Sequence, residues 1–563
     1  MNQQISPWVL VCVIAAVILA IILVNFFSNL FRRRKLRRLL AQSYGQPRSI
    51  VDDSGSLDCI AAYWRHERKN AVFAIDDTTW SDLDMNRLFS KLNHTCCSVG
   101  EEYLYSVLRL PDLQGERLCL WEEIVRYFET HEKERAQTRF FLARLGKSTD
   151  NGVVDFFHNL QERVLPYAPL YPVLSVLAAC GIISLIVLHA IGLPFFLGIT
   201  VLNMVVYYKL HAGVEAQLRS VDYIQAMAGC GQHLAATNMA GFPPAAETWK
   251  ADIKPLARMG KLTQFLLPSG MSGEANSIWE YIRMYFLLDF VAYGRLVTHI
   301  RRHREAYLSV YSGIGRMDAA IAIASYRQSV PYFTTPVFST EHAIVMERMV
   351  HPLLENPIAN SVTLSKSALI TGSNASGKST FVKALAINAI LAQTVHTCLA
   401  GRLQMPYSFV VTSMAVRDDL EAGESYYIAE IRSLKRVLDG LKTGVHTLCL
   451  IDEILKGTNT VERIAASASI LHDLTAHDCM ALVATHDIEL TEMLSPLYDN
   501  FHFTEEITDE RIQFSYKIHQ GRATTKNAIR LLHFMGYDED TIQEAENLAK
   551  HFEKTRSWSK LVP

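Results

Sequence analysis

The sequence predicts an α/β domain in the C-terminal part, preceded by a mostly α-helical region with three transmembrane helices. Three observations predict it. Short, continuously apolar runs such as Ala368-Leu-Ile-Thr371, Thr447-Leu-Cys-Leu-Ile451 and Leu482-Val-Ala alternate with helix-period segments after residue 341. The first of these runs straight into the glycine-rich Gly372-Ser373-Asn374-Ala375-Ser376-Gly377-Lys378-Ser379. Upstream, residues 7–27 and the block Val164–Tyr208 contain no Asp, Glu, Lys or Arg.

Taken in chain order, the first element is a membrane anchor over residues 1–30. Arg32, Arg33, Arg34, Lys35, Arg37 and Arg38 follow the span, and no charged side chain precedes it. By the positive-inside rule the basic cluster is cytoplasmic and the N-terminus outside. A cleavable signal would carry its charge first and end in a small-residue site, so the segment reads as an anchor. A cytoplasmic helical region over 31–165 comes next, with amphipathic segments such as Glu122–Phe128. The block over 166–210 has the length of two spans, about 171–188 and 191–208, joined at His189–Pro194 and bracketed by Arg163 and Lys209. Residues 211–340 are again helical. Within them Met284–Val291 is too short and too acidic to span and predicts a buried helix, and Arg301, Arg302 and Arg304 form a small basic face. The α/β domain occupies 341–522, and a helical dimerisation tail is expected over 523–563.

Length and charge set the remaining bounds. The chain has 563 residues, room for several domains, and a net charge of −2 with no overall nucleic-acid or membrane signature. Ten cysteines without a C-x-x-C pair predict a reduced compartment and buried thiols, with no disulfide framework, no zinc site and no metal cluster.

The chemistry sits in the α/β domain. G-x4-G-K-S between a strand and a helix is a phosphate loop, which makes this a P-loop NTPase fold. Backbone N–H groups of Gly372 through Thr380 and the helix N-terminus wrap a polyphosphate, Lys378 reaches the outer phosphates, and the Ser379 hydroxyl ligates Mg²⁺. Asp452-Glu453 ends a buried strand: Asp452 suits the Mg²⁺ shell, and Glu453 suits activation of a water. Thr485-His486 ends another, which makes His486 a candidate γ-phosphate sensor.

These motifs, with His351-Pro352, Ile358-Ala-Asn360, Asp418-Asp419-Leu420, Gly423-Glu-Ser425 through Glu430, Gly457-Thr458 and Gly521-Arg-Ala-Thr-Thr-Lys-Asn527, resemble the ATPase domain of the MutS mismatch-repair family over about 350–550. Asp76–Asp84, Ser98-Val-Gly-Glu101 and Gly313–Ala320 resemble pieces of that family's helical core. The resemblance implies an ATPase of ABC/MutS type that uses ATP and Mg²⁺ and works as a homodimer through this domain. Asn360 would contact the nucleotide, Ser425 would meet the γ-phosphate bound by the other subunit, and Tyr516 would stack on adenine. Pro357 stands where the family usually has an aromatic residue, Leu455-Lys456 replaces Gly-Arg, and nothing before residue 340 offers the Phe-x-Glu mismatch wedge. The resemblance and the apolar spans together imply a membrane-anchored MutS-like ATPase of a bacterial inner membrane, its ATPase domain cytoplasmic. Its helical arms act on duplex or branched DNA, or else belong to an ATP-driven envelope or transporter-like machine that binds no nucleic acid. A degenerate scaffold fits poorly with an intact lysine, acid pair and histidine.

Overall fold

The computed structural model describes residues 7–49, 57–148, 153–158, 165, 167–256, 274–373, 376–414, 426–455, 458–508, 511–523, 529, 532–533, 535–555 and 557–560. Within these, the side chains of 7–22, 25, 211–218, 274–279, 426, 443, 505–513 and 553 are not described. The chain divides into two units. The first comprises residues 1–70, 91–106 and 120–329, and the second 71–90, 107–119 and 330–563. The mixed α/β sheets and the mostly helical N-terminal region that the sequence predicts are both present.

The first unit is helical. Its spine is the helix Arg304–Ser329, buried almost continuously from Tyr307 to Arg327. A helix buried on all sides must place its polar groups against partners. Arg327, fully buried, donates to Glu122 at 2.6 Å and to Glu129 at 3.3 Å. The Tyr311 hydroxyl donates to Glu102 Oε2 at 2.8 Å. Asp318 accepts from the backbone N–H of Cys96 at 3.0 Å and of Cys97 at 2.9 Å, just before the helix Ser98–Arg109 begins.

Among the described residues two helices, rather than the three expected, are long and apolar enough to cross a membrane: Leu170–Ile191 and Leu193–Leu210. They coincide with the expected hairpin, turning at His189, which has a positive φ of 51°, and Gly192. Val176, Ile183, Ile186 and Val201 point outward and are exposed. Polar contacts tie the hairpin to the segment behind it. The Asn203 amide donates to Tyr285 O at 2.7 Å, and the Tyr285 hydroxyl donates to Ala178 O at 3.0 Å. Most of the remaining expected span, 7–27, lies outside the described side chains, although its backbone belongs to one helix, Pro7–Ser43. The second helix of the hairpin does not stop at its apolar end; it continues to Ala235. The expected single helix over Met284–Val291 is instead a junction between Glu274–Tyr285 and Leu288–Arg302, broken by Leu287 at φ 51°.

Burial sets a pH response in this unit. Burial, with lesser help from Asp155 and Glu101, pushes the Glu102 carboxyl up to about 8 against the Tyr311 hydrogen bond that lowers it. A carboxyl raised above its ordinary 4.5 holds its proton more tightly when folded, so its contribution is intact below 4.5 and lost as pH rises through about 8. His94, pushed down to about 4 mainly by burial, acts in the opposite sense, costing stability as pH falls below its ordinary 6.5. Glu102→Gln should therefore flatten the loss of melting temperature between pH 5 and 8 relative to the unaltered chain. An unchanged slope would show that Glu102 ionises freely in the folded state.

The second unit holds two sheets. Strands β1 (Val337–Phe338), β2 (Ile344–Met349), β3 (Asn360–Leu364), β4 (Ala368–Thr371), β5 (Arg402–Met405), β6 (Phe409–Ser413), β7 (Thr447–Asp452), β8 (Cys479–Ala484), β9 (Asp499–Thr508) and β10 (Arg511–Gln520) follow in order. The smaller sheet runs β1-β5-β2-β3 and the larger β10-β9-β4-β8-β7-β6. In the larger sheet β6, β7, β8, β4 and β9 are parallel, and β10 closes the edge antiparallel. The continuous apolarity of β4, β7 and β8 follows from this: each is central and covered on both faces. Residues 71–90 pack here too. Asp82 accepts from the Thr412 hydroxyl at 2.7 Å and from Met414 N at 3.1 Å, and Arg436 pairs with Asp76.

Candidate functional site

In a parallel sheet, groups at the carboxyl ends of neighbouring strands gather on one edge. Here β4, β8 and β7 are adjacent, so the phosphate-loop segment, Thr485-His486 and Asp452-Glu453 leave the sheet side by side.

The loop after β4 leads into the helix Lys378–Val395 through Gly377, whose φ of 109° no side chain tolerates well. A Cβ on Gly372 would lie 2.9 Å from Phe503 O and 3.0 Å from Ser376 Oγ, so the loop closes tightly on β9. Lys378 is buried, and its ammonium donates to Gly372 O at 2.7 Å and Ser373 O at 2.8 Å. The hydroxyls of Ser373 and Ser376 are buried without a hydrogen-bond partner among the described residues. Polar groups left so are ordinarily matched by a ligand or water. Thr380 is exposed on the first turn of the helix. Asn374, Ala375 and Ser425 lie outside the described residues.

The Ser379 hydroxyl donates to Asp452 Oδ1 at 2.9 Å, bringing together the two oxygens expected to share a metal. Glu453 and Leu455 both have positive φ, 57° and 58°, a conformation costing on the order of 1–3 kcal/mol per residue and concentrated at functional turns. That turn is held by Glu453 N donating to Ala484 O at 2.9 Å. It aims Glu453 Oε1 at His486 Nε2, 3.0 Å away. The same imidazole nitrogen lies 3.4 Å from Lys378 Nζ. Lysine, serine, aspartate, glutamate and histidine, drawn from three strand ends, thus form one connected cluster.

Asn360 and Tyr516 meet elsewhere on the loop's rim. Tyr516, half exposed, sits at an irregularity in the β9–β10 pairing, and a Cβ on Gly377 would lie 3.2 Å from its ring. The Asn360 amide donates to Tyr516 O at 3.0 Å, and its oxygen accepts from Ile518 N at 2.9 Å. In this structure Asn360 therefore secures the strand that carries Tyr516.

Two neighbours were not singled out as site residues from the sequence. Arg463, on the helix Thr460–Leu474, donates to Asp487 through Nε at 3.0 Å and Nη2 at 2.5 Å, and so braces the residue next to His486. Glu430, buried, lines a small cavity with Ser413, Asp452, Glu453 and Leu455. Arg463 carries no local signal, because its partner is 24 residues away on another element. Glu430 had one: it closes the Gly423-Glu-Ser425 motif.

Residues 368–553 match the family described as MutS domain V. The chain is 28% identical over 294 residues to the DNA mismatch repair protein MutS of Thermotoga maritima, covering 49% of this chain and 37% of that protein. It is 28% identical over 282 residues to the protein of the same name from Thermotoga sp. strain RQ2, covering 47% and 35%. It thus spans little more than a third of the length of these curated relatives. The matched region contains the phosphate loop, the ends of β7 and β8 and Tyr516, so this part of the chain is similar to domain V of MutS proteins.

Proposed function

We propose that this protein is a membrane-bound ATPase that works as a dimer and couples ATP binding and hydrolysis to movement of its helical region on DNA. The observation that carries the ATPase reading is the contact pair at the strand ends, Ser379 with Asp452 at 2.9 Å and Glu453 with His486 at 3.0 Å. The loop's glycines, its buried serine hydroxyls and the Lys378 ammonium suit a triphosphate. Ser379 and Asp452 supply the hard oxygen donors that Mg²⁺ prefers. Mg²⁺, when bound, would offset phosphate charge. Glu453 takes the proton of the attacking water, and His486, in contact with both Glu453 and Lys378, orients the carboxylate toward the outer phosphate. Ser425, by resemblance, completes the site of the opposite subunit.

Membrane attachment is supported by the exposed apolar hairpin and by the charge asymmetry around the 7–27 span. Three spans with the ATPase domain cytoplasmic satisfy both, in a bacterial inner membrane. DNA as ligand is supported by the names of the relatives. The absence of a Phe-x-Glu wedge favours duplex or branched structure over a mismatch.

The test is ATP turnover of the detergent-solubilised full chain with and without duplex, branched and single-stranded DNA. Stimulation by one of these is expected. Hydrolysis indifferent to all of them would favour an ATP-driven membrane machine with no nucleic-acid ligand, a reading that the hairpin's tight packing on Tyr285 also accommodates. No hydrolysis under any condition would reject the ATPase reading itself. A smaller effect is expected at Arg463. Arg463→Ala should lower kcat about tenfold with little change in KM for ATP, because it frees Asp487 and with it the His486 turn. A change confined to KM would place Arg463 in binding instead.

A further inference from the structure

The structure assigns a second ion site to this unit: we propose that His342, His446 and Asp478 bind a divalent transition metal of the zinc class. The three residues come from separate segments, the turn before β2, the residue before β7 and the residue before β8. Their candidate ligand atoms all lie within 4.8 Å of one another. His446 Nδ1 is 2.7 Å and His342 Nδ1 3.4 Å from Asp478 Oδ1, and the two imidazole rings have their centroids 4.2 Å apart. Tetrahedral zinc with ligands at about 2.0–2.1 Å needs donors about 3.3 Å apart, so one contact already fits and the other must open by about 0.6 Å.

The framework is fixed by the sheet. Phe409 N donates to His446 O at 2.9 Å, and Thr447 N donates to Asp478 O at 3.1 Å. His446 is buried, and its Nε2 has no hydrogen-bond partner among the described residues, so the ring is held without a complete polar environment. His342 and Asp478 are exposed, which leaves a path for entry and a free coordination position. Two imidazoles and one carboxylate select zinc, cobalt, nickel or copper over Mg²⁺ or Ca²⁺. Cysteine spacing could not reveal the site, because its ligands are neither cysteines nor close in sequence.

The site lies at the amino ends of β7 and β8, whereas Asp452 ends β7 and His486 follows β8, about 20 Å away for a six-residue strand. It is therefore separate from the Mg²⁺ position and does not rest on the ATPase reading.

The test uses the nucleotide-free full chain in detergent and its His342→Ala/Asp478→Asn variant. Co²⁺ titration followed by absorption, and Zn²⁺ content after dialysis, should show one more equivalent bound by the unaltered chain. Zn²⁺ should raise its melting temperature and leave the variant's unchanged. His342→Ala alone, in an exposed turn, should weaken Zn²⁺ binding at least about tenfold while leaving the fold intact. Equal metal content and equal melting shifts in the unaltered chain and both variants would overturn the proposal and leave a His–Asp hydrogen-bonded clamp.

Discussion

Glu453→Gln should abolish steady-state ATP hydrolysis, by on the order of 10²-fold or more, while ATP binding persists. The substitution is nearly isosteric and removes the basic oxygen that sits 3.0 Å from His486. The Ser379–Asp452 contact and the Lys378 loop contacts, which lie outside the replaced group, stay in place. Binding and chemistry should therefore separate. A fluorescent nucleotide should titrate with nearly unchanged affinity, and phosphate release should fall to background. The positive φ of Glu453 belongs to the backbone turn and is strained alike by either residue, so a folding defect is not expected to imitate the result. Hydrolysis within a few-fold of the unaltered chain would remove Glu453 from the role of base. Glu430, which shares the small cavity beside it, would then be the next carboxylate to replace.

The parts of this site that were legible in the sequence share a physical origin. A central parallel strand is buried on both faces, so β4, β7 and β8 read as unbroken apolar runs, and the polar residue at which each run stops marks the edge where ligands bind. Asp452, Glu453 and His486 could be named for that reason and Lys378 from the glycine-rich loop after β4, and the sheet order brings them together. The features that stayed hidden depend on long-range pairing. Arg463 reaches Asp487 only because two helices lie against each other, and Asn360 reaches the backbone of Tyr516 across 156 residues. The packing of Asp76 and Asp82 around β6, which ties residues 71–90 to the nucleotide-type sheet, likewise has no local signature. Apolar composition located the hairpin but not the continuation of its second helix to Ala235, because charged and polar residues interrupt the apolar run from Lys209 onward. Leu287 broke an expected helix through backbone conformation rather than composition.

Two short upstream motifs had only a family resemblance to support them, and the structure gives them a common physical role. Asp318, the last polar residue of Gly313–Asp318, is fully buried and accepts from Cys96 N, Cys97 N and the Cys97 thiol. Those donors immediately precede the helix that begins at Ser98, in the Ser98-Val-Gly-Glu101 motif. Gly100 belongs to the same arrangement: a Cβ there would lie 2.2 Å from Asp318 Oδ2. Asp318→Ala should therefore leave two backbone donors unmatched, at about 1–3 kcal/mol for the buried Cys97 N–H and less for the half-buried Cys96 N–H. The helical unit should melt well below the unaltered chain, with a loss of roughly 3 kcal/mol or more, read by circular dichroism in detergent. Asp318→Asn keeps one acceptor oxygen and should cost less. The steric term separates in a double-mutant cycle. Gly100→Ala should be strongly destabilising in the unaltered chain and much milder beside Asp318→Ala, where the clashing carboxylate is gone. Strict additivity of the two substitutions would mean that the carboxylate and the glycine are not packed against each other, and that the two motifs stabilise the helical unit independently.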